Sequence, residues 1–285
     1  MITLFEPAYA KVNLTLDVLG KRADGYHDLQ SVMQSISLCD DIYIDVGTGK
    51  PWALSCSDAD IPCDSRNLAW KAAKVFCDAM RIDPNGLQIR ITKRIPSQAG
   101  LGGGSSDAAA VLRALNKHFK TGLSSFALAE LGALVGSDVP FCVLCGTAMA
   151  EGRGERLRWL PTLPACTFIV CKPDFPVSTP ELFRKLDQAV ISRRPNNAAM
   201  ENGLNSGSIE EIAKEVFNVF DPVVSAEHPE IDHIKAICAS CGALAQQMSG
   251  SGSAVFAIMP SEKAAQAAYG QLKAHYSQVF IAKPV

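Results

Sequence analysis

Residues 96–106 read PSQAGLGGGSS, and four of the five positions 100–104 are glycine. The segment stands between residues 87–92 (LQIRIT), which alternate with the period of a strand, and residues 107–119, where Val111, Leu112, Leu115 and Phe119 recur with helical spacing. A strand, a glycine turn and an amphipathic helix in direct succession suit the capture of an anion. Glycine adopts dihedrals closed to other residues and lets a ligand reach the main chain, so successive N–H groups can turn inward. The unpaired amides of the helix's first turn and its positive dipole end reinforce that field, with Ser105 or Ser106 expected as the N-cap. A flexible linker needs no such tight placement between two regular elements.

The commoner nucleotide loops are missing. No GxxxxGK[ST] occurs: the run Gly47-Thr48-Gly49-Lys50 is followed by Pro51 and has Ile44 where the first glycine belongs. GxGxxG and the HRD and DFG elements of protein kinases are also absent, so the loop belongs to another architecture.

Outward from the loop, residues 11–19, 31–38 and 41–46 read as strands, the last two joined by a short acidic turn, and residues 67–80 read as a helix. A second helix, 124–135, stops at Gly136. Strands are expected at 166–171, 253–258 and 279–282, and helices at 210–217, 228–238 and 264–275. Two prolines within 160–165 (LPTLPA) interrupt regular structure and mark a junction between domains 1–162 and 163–285. Strands and helices mixed without strict alternation predict an α+β protein of two sandwich-like lobes.

The composition of the 285 residues, 48% hydrophobic and 20% charged, is that of a globular chain. With 27 basic against 29 acidic side chains there is no global positive field for nucleic acid or an anionic membrane, so phosphate must be held locally. The N-terminus lacks the basic, apolar and small-residue regions of a secretory signal, which predicts a cytoplasmic protein. The most apolar window, 131–150, carries Asp138, Pro140 and three glycines, which argues against a membrane span. Two CxxC pairs occur among the ten cysteines, Cys142/Cys145 and Cys238/Cys241. The first pair reads as part of a buried strand, where residues three apart face opposite sides and cannot share zinc. Buried, reduced, structural cysteines are expected instead.

Three segments in order resemble the GHMP kinases: AYAKVNLTLDVLGKRADGYHDLQSVMQSI near the N-terminus, PSQAGLGGGSSDAA around the loop, and the second glycine loop Met248-Ser249-Gly250-Ser251-Gly252-Ser253-Ala254. Together they cover nearly the whole chain. The segments 65–68, 136–141, 150–155 and 176–183, with Gly25-Tyr26-His27-Asp28, are similar to members of the family that phosphorylate a polyol linked to cytidine diphosphate in the non-mevalonate isoprenoid route. The resemblance implies a ribosomal-protein-S5-like N-terminal lobe, a ferredoxin-like C-terminal lobe, and transfer of the ATP γ-phosphate to a hydroxyl of that small molecule. Monomer and homodimer both stay open.

The resemblance also distributes roles. Asp138, in an apolar stretch where a lone carboxylate would be costly, becomes the proton acceptor, and Lys11 the cation that keeps it ionised and steadies the γ-phosphate. Asn13, two residues along the strand, shares the face of Lys11 and orients the substrate hydroxyl. Pro96, Ser97, Gln98, Ala99, Gly100, Leu101, Gly102, Gly103, Gly104, Ser105 and Ser106 hold ATP, with Asn67 and Leu68 lining the adenine pocket. Lys93 either meets a phosphate or is a solvated strand-end charge. His27 reads the base edge while Tyr26 and Phe183 sandwich the ring, and Thr179 contacts the methylerythritol. ATP implies Mg²⁺, which keeps water and phosphate ligands. Ser106 is a candidate ligand of that ion; no acidic pair in the motifs announces a dedicated metal site, and Asp107 at the helix start serves as a first-turn charge.

Overall fold

The computed structural model describes all 285 residues. Strands β1 (Ile2–Asn13), β2 (Thr15–Lys21), β3 (His27–Val46) and β4 (Ala53–Cys56) precede helix α1 (Leu68–Met80), and β5 (Gln88–Thr92) leads through the glycine loop into α2 (Gly103–Phe119). Helices α3 (Ser125–Ala133) and α4 (Val139–Leu144) follow, then β6 (Thr147–Gly152), β7 (Arg156–Trp159) and β8 (Thr167–Lys172). The remainder comprises α5 (Thr179–Leu186), α6 (Asn197–Ser206), α7 (Ile209–Glu215), β9 (Phe217–Asn218), α8 (Asp221–Ser225), α9 (Glu230–Ser240), β10 (Ala245–Met248), β11 (Val255–Met259), α10 (Glu262–Lys273) and β12 (Gln278–Ala282). None of these helices is long and apolar enough to cross a membrane.

The chain divides into two compact units that interleave in sequence. One takes residues 1–10, 39–97 and 102–145; the other takes 11–38, 98–101 and 146–285. In the first, the C-terminal part of β3 pairs antiparallel with β5 and β4 pairs parallel with β5, which aligns Ile42, Ile44, Ile91, Ile89 and Leu54 with period two. All five are buried. Helices α1 and α2 pack together, and each buries small side chains, Ala69, Ala72 and Ala73 on one and Ala108, Ala109 and Ala110 among those on the other.

In the second unit the N-terminal part of β3 pairs antiparallel with β2 and β6. A separate four-stranded sheet has the order β10-β11-β8-β12, antiparallel throughout, with α9 and α10 packed against it. The chain order β8-α9-β10-β11-α10-β12, with the shorter segments inserted before α9, is the βαββαβ arrangement of ferredoxin-like folds. Its apolar layer includes Ile169, Ile231, Ile234, Val255, Ala257, Ala268 and Leu272.

The structure corrects the sequence reading at several places. Residues 31–38 and 41–46 are not two strands around an acidic turn but one strand, β3. Asp40 is fully buried inside it, and its carboxylate accepts hydrogen bonds from Arg94 N and Ile95 N at 2.5 and 2.8 Å. The expected strand 11–19 is interrupted at Leu14, between β1 and β2. Cys142 lies in helix α4 and Cys145 caps its end, so the strand argument for diverging sulfurs does not apply. Pro140 in the first turn starts that helix, and a short apolar run does not declare by its period whether it is strand or helix. Residues 160–165 are irregular and connect β7 to β8.

Candidate active site

In the second unit the main chain of β1 carries the site. Lys11 and Asn13 point the same way from the strand: Lys11 Nζ donates to Asn13 Oδ1 at 2.6 Å, and Asn13 Nδ2 donates to Ser31 Oγ at 2.7 Å. Both side chains are buried. Lys11 N donates to Leu101 O at 3.0 Å, which ties the glycine loop to the strand. The second glycine loop closes on the same place. Ser249 Oγ accepts from Asn13 N and donates to Gly100 O, and Ala254 N donates to Ala99 O.

The two loops approach so closely that a Cβ on Gly100 would lie 1.9 Å from Ser249 O, and one on Gly250 would lie 3.4 Å from Asn13 Oδ1. Gly100 also has φ +72°, which a side chain rarely tolerates. Lys11, Asn13, the loop residues Gln98, Ala99, Gly100 and Leu101, and the second glycine loop therefore converge. Ser31 and Ser249, which sequence reasoning did not single out as site residues, hold them together. No short-range pattern gives them away, because their partners are distant in the chain.

In the first unit α2 starts at Gly103, with Gly102 as its N-cap at φ +71°. This replaces the expected serine cap. Ser106 is buried within the first turns, where its Oγ donates to Tyr9 O at 2.6 Å and to Gly102 O at 3.0 Å. The helix therefore opens with a run of small residues, Gly103, Gly104 and Ser105, whose N–H groups have no intrahelical acceptor. Leu68 Cδ1 sits 3.6 Å from where a Gly104 Cβ would be, so the start of α1 lies beside the start of α2.

Asn67 is the N-cap of α1, its Oδ1 accepting from Ala69 N and its Nδ2 donating to Pro62 O, both at 2.8 Å. Both ends of that amide serve the main chain. Pro96 is buried, and Ser97 Oγ donates to Asp58 Oδ2 at 3.4 Å. Asp138 is the half-buried N-cap residue of α4 and makes no side-chain cap bond.

Lys93 is neither a solvated strand-end charge nor a cation without partners. Its ammonium lies between Asp40 Oδ2 at 2.5 Å and Asp107 Oδ2 at 2.8 Å, and a Cβ on Gly103 would come within 3.3 Å of it. Burial opposes its charge, but the two carboxylates prevail and raise its pKa. Asp107 is nearly inaccessible and its Oδ1 has no hydrogen-bond partner, so burial pushes its carboxyl up to about 7 despite the ammonium. Asp107 is thus part of a buried cluster with Lys93 and Asp40 and lies beyond the first turn of α2, where a favourable first-turn charge was expected.

The residues expected at the base pocket lie in the second unit. Phe183 is stacked on His27 with ring centroids 4.6 Å apart and planes at 21°, and its ring is edge-on to Phe220. Tyr26 is 58% exposed and has the Arg153 guanidinium over its face at 5.1 Å. In this structure Phe183 therefore faces His27, whereas the sequence reading has it opposite Tyr26 across a base. Thr179, at the start of α5, shares a hydrogen bond of 2.8 Å with Ser251 of the second glycine loop. His27 Nε2 meets Asp187 Oδ1 at 2.7 Å. Asp187 follows Phe183 by four residues, a spacing that sets both on one side of a helix and could have flagged it.

Family models and relatives match most of the chain. The model of the GHMP kinases N terminal domain matches residues 67–146, and that of the GHMP kinases C terminal matches residues 199–278. The chain is similar to the 4-diphosphocytidyl-2-C-methyl-D-erythritol kinase of Exiguobacterium sibiricum, with 42% identity over 99% of this chain and 98% of that one. It is 42% identical to the enzyme of the same name from Caldicellulosiruptor saccharolyticus over 96% of this chain and 94% of that one. Among solved structures it resembles a 4-(cytidine 5'-diphospho)-2C-methyl-D-erythritol kinase at 32% identity and a TM-score of 0.82, covering 99% of both chains. A homoserine kinase from Cytophaga hutchinsonii shares the fold at 18% identity and a TM-score of 0.75, over 98% of this chain and 94% of that one. The chain belongs to the GHMP kinase family.

Proposed function

We propose that the chain transfers the γ-phosphoryl group of ATP to the 2-hydroxyl of 4-diphosphocytidyl-2-C-methyl-D-erythritol, a step of the non-mevalonate route to isopentenyl diphosphate. Full-length identity of 42% to relatives bearing that activity supports the reaction. The observation that carries the site is the meeting of Lys11 and Asn13 with both glycine loops on one strand. Phosphoryl transfer demands little covalent work from the protein; it demands a positioned hydroxyl, neutralised charge and somewhere for the proton to go. Asn13 orients the hydroxyl, Lys11 lends positive charge to the moving phosphoryl, and Asp138 takes the proton. The open amides at the head of α2 and of 98–104 hold the triphosphate, and Leu68 lies on the adenine side. Asn67 supports that side through the cap of α1, and Lys93 through its hold on Asp40 and Asp107.

ATP brings Mg²⁺, whose chemistry is neutralisation of phosphate charge. No three His, Cys, Asp or Glu side chains gather as a metal cage, so the residues present suit an ion that keeps phosphate and water ligands. Tyr26, His27 and Phe183 form the cytidine end and Thr179 the methylerythritol end. A working division into an ATP-binding domain, 1–162, and a C-terminal domain, 163–285, is supported by the two family models falling on either side of that cut. The cysteines, none of them in a disulfide and four of them buried, suit the reducing cytoplasm. The test is purified protein with ATP, Mg²⁺ and a panel of alcohols. Turnover of 4-diphosphocytidyl-2-C-methyl-D-erythritol is expected to exceed that of mevalonate, homoserine and galactose by orders of magnitude, and equal turnover of any of these three would reject the assignment.

A further inference from the structure

We infer that Asp187 is a positioning residue that keeps the hydrogen of His27 on Nε2, leaving Nδ1 as an acceptor that selects a 4-aminopyrimidine, cytosine, over a 4-oxopyrimidine, uracil. The inference deepens the base-pocket reading proposed above and rests on it. Asp187 Oδ1 lies 2.7 Å from His27 Nε2, and Lys21 Nζ stands 3.6 Å from Asp187 Oδ2. The His27 bond, with Lys21 beside it, holds the Asp187 carboxyl below the usual carboxylate range, so it is ionised near neutral pH. An ionised carboxylate only accepts, so Nε2 must donate. In a neutral imidazole the other nitrogen then carries a lone pair and no hydrogen.

Nδ1 makes no hydrogen bond within the protein, since the only side-chain bond of His27 runs through Nε2. It is not sealed in either: the fully buried side-chain nitrogens and oxygens without partners are Trp52 Nε1 and Asp107 Oδ1. The ring itself is 8% exposed and is held flat by Phe183, which is braced in turn by Phe220. The main chain of His27 is fixed by its pairing with Lys21 across β2 and β3. One outward acceptor on a rigid, otherwise buried ring reads the hydrogen-bonding sign of whatever meets it. Position 4 of cytosine offers an amino hydrogen, whereas position 4 of uracil offers a carbonyl oxygen and would set two acceptors face to face.

The experiment compares the full-length wild type with Asp187→Ala and Asp187→Asn in two measurements: equilibrium binding of CDP and UDP, and nitrogen-15 NMR of the His27 ring. The wild type is expected to show the Nε2–H tautomer and to bind CDP about 10- to 100-fold more tightly than UDP, the scale of one unmade hydrogen bond at a desolvated site. Asp187→Ala is expected to mix the tautomers and bring the ratio down several-fold, with Asp187→Asn between the two. An Nδ1–H tautomer or a doubly protonated ring in the wild type, or an unchanged ratio in folded Asp187→Ala, overturns the inference. Should the alanine variant not fold, the wild-type tautomer and the asparagine variant decide it. Equal binding of CDP and UDP by a wild type that still phosphorylates the erythritol substrate sinks the inference and spares the function. Binding of neither nucleotide, with no turnover of that substrate, sinks both.

Discussion

Two carboxylates of the first unit are assigned opposite uses. Asp138, the N-cap residue of α4, makes no side-chain cap bond, and the proposed mechanism gives it the substrate proton. Asp138→Asn keeps the shape and removes the basic oxygen. Turnover is expected to fall by about 10²- to 10⁴-fold, toward the lower end because a loose transition state transfers its proton late. Equilibrium ATP binding should stay near wild type, and single-turnover transfer at the wild-type rate by folded variant would remove Asp138 from the mechanism. Asp107 is structural, and its carboxyl is raised to about 7 by burial. Between about pH 4 and 7 the folded chain therefore holds a proton that the unfolded chain releases, so this group's contribution makes stability decline as pH rises through that window and then level off. Asp107→Asn should flatten the decline, read as urea unfolding of both proteins at pH 5 and pH 8. The sequence singled out Asp138 because a lone acid in an apolar run demands an explanation. It hid the pairing of Lys93, whose nearer partner Asp40 is 53 residues away in a strand mistaken for a turn.

At the scale of elements, the glycine loop and α2 were legible because glycine clustering and helical spacing are local signals. The cap was not, since Gly102 in a left-handed conformation removes the need for a serine. Helix α4 was missed for a related reason: six residues are too few for a period to show. Helix α5 was read only as a matching segment, although Leu182 and Leu186 mark its buried side. Where the loop is most constrained, a methyl group should be least tolerated. Gly100→Ala sets a Cβ against Ser249 O at a positive φ, and is expected to cost at least about 2 kcal/mol and to weaken ATP binding more than about tenfold. Gly270 lies inside α10 with open space where its Cβ would go, so Gly270→Ala should stabilise by roughly 0.5–1 kcal/mol. Urea midpoints and ATP titrations of the two variants make the comparison, and equal effects would mean that loop contact is not what matters.

At the scale of the whole molecule, the α+β class followed from element types, whereas the ferredoxin-like order came only with the family resemblance, since the four-residue strand β10 was not read; the interleaving of the units was not legible either, because long-range pairing leaves no local trace. The cysteines are likewise distributed by the fold. Cys77, Cys142, Cys171 and Cys238 are buried and Cys63 is exposed. Burial pushes Cys77 up to about 11 and Cys166 and Cys238 up to about 12, which disfavours the thiolate that zinc and disulfide reagents require. A thiol reagent should therefore modify Cys63 first in the native chain and all ten only after denaturation, with mass spectrometry assigning the site. Rapid modification of Cys171 or Cys238 under native conditions would contradict the packing. The interleaving also sets a timetable. Val32 of β3 waits for Met149 of β6, and Leu16 of β2 for Asn218 of β9, so strands released early from the ribosome hold their apolar faces uncovered until much later segments arrive. The second unit is completed only when the far end of the chain has been made, and until then the nascent protein depends on whatever shields it from its neighbours.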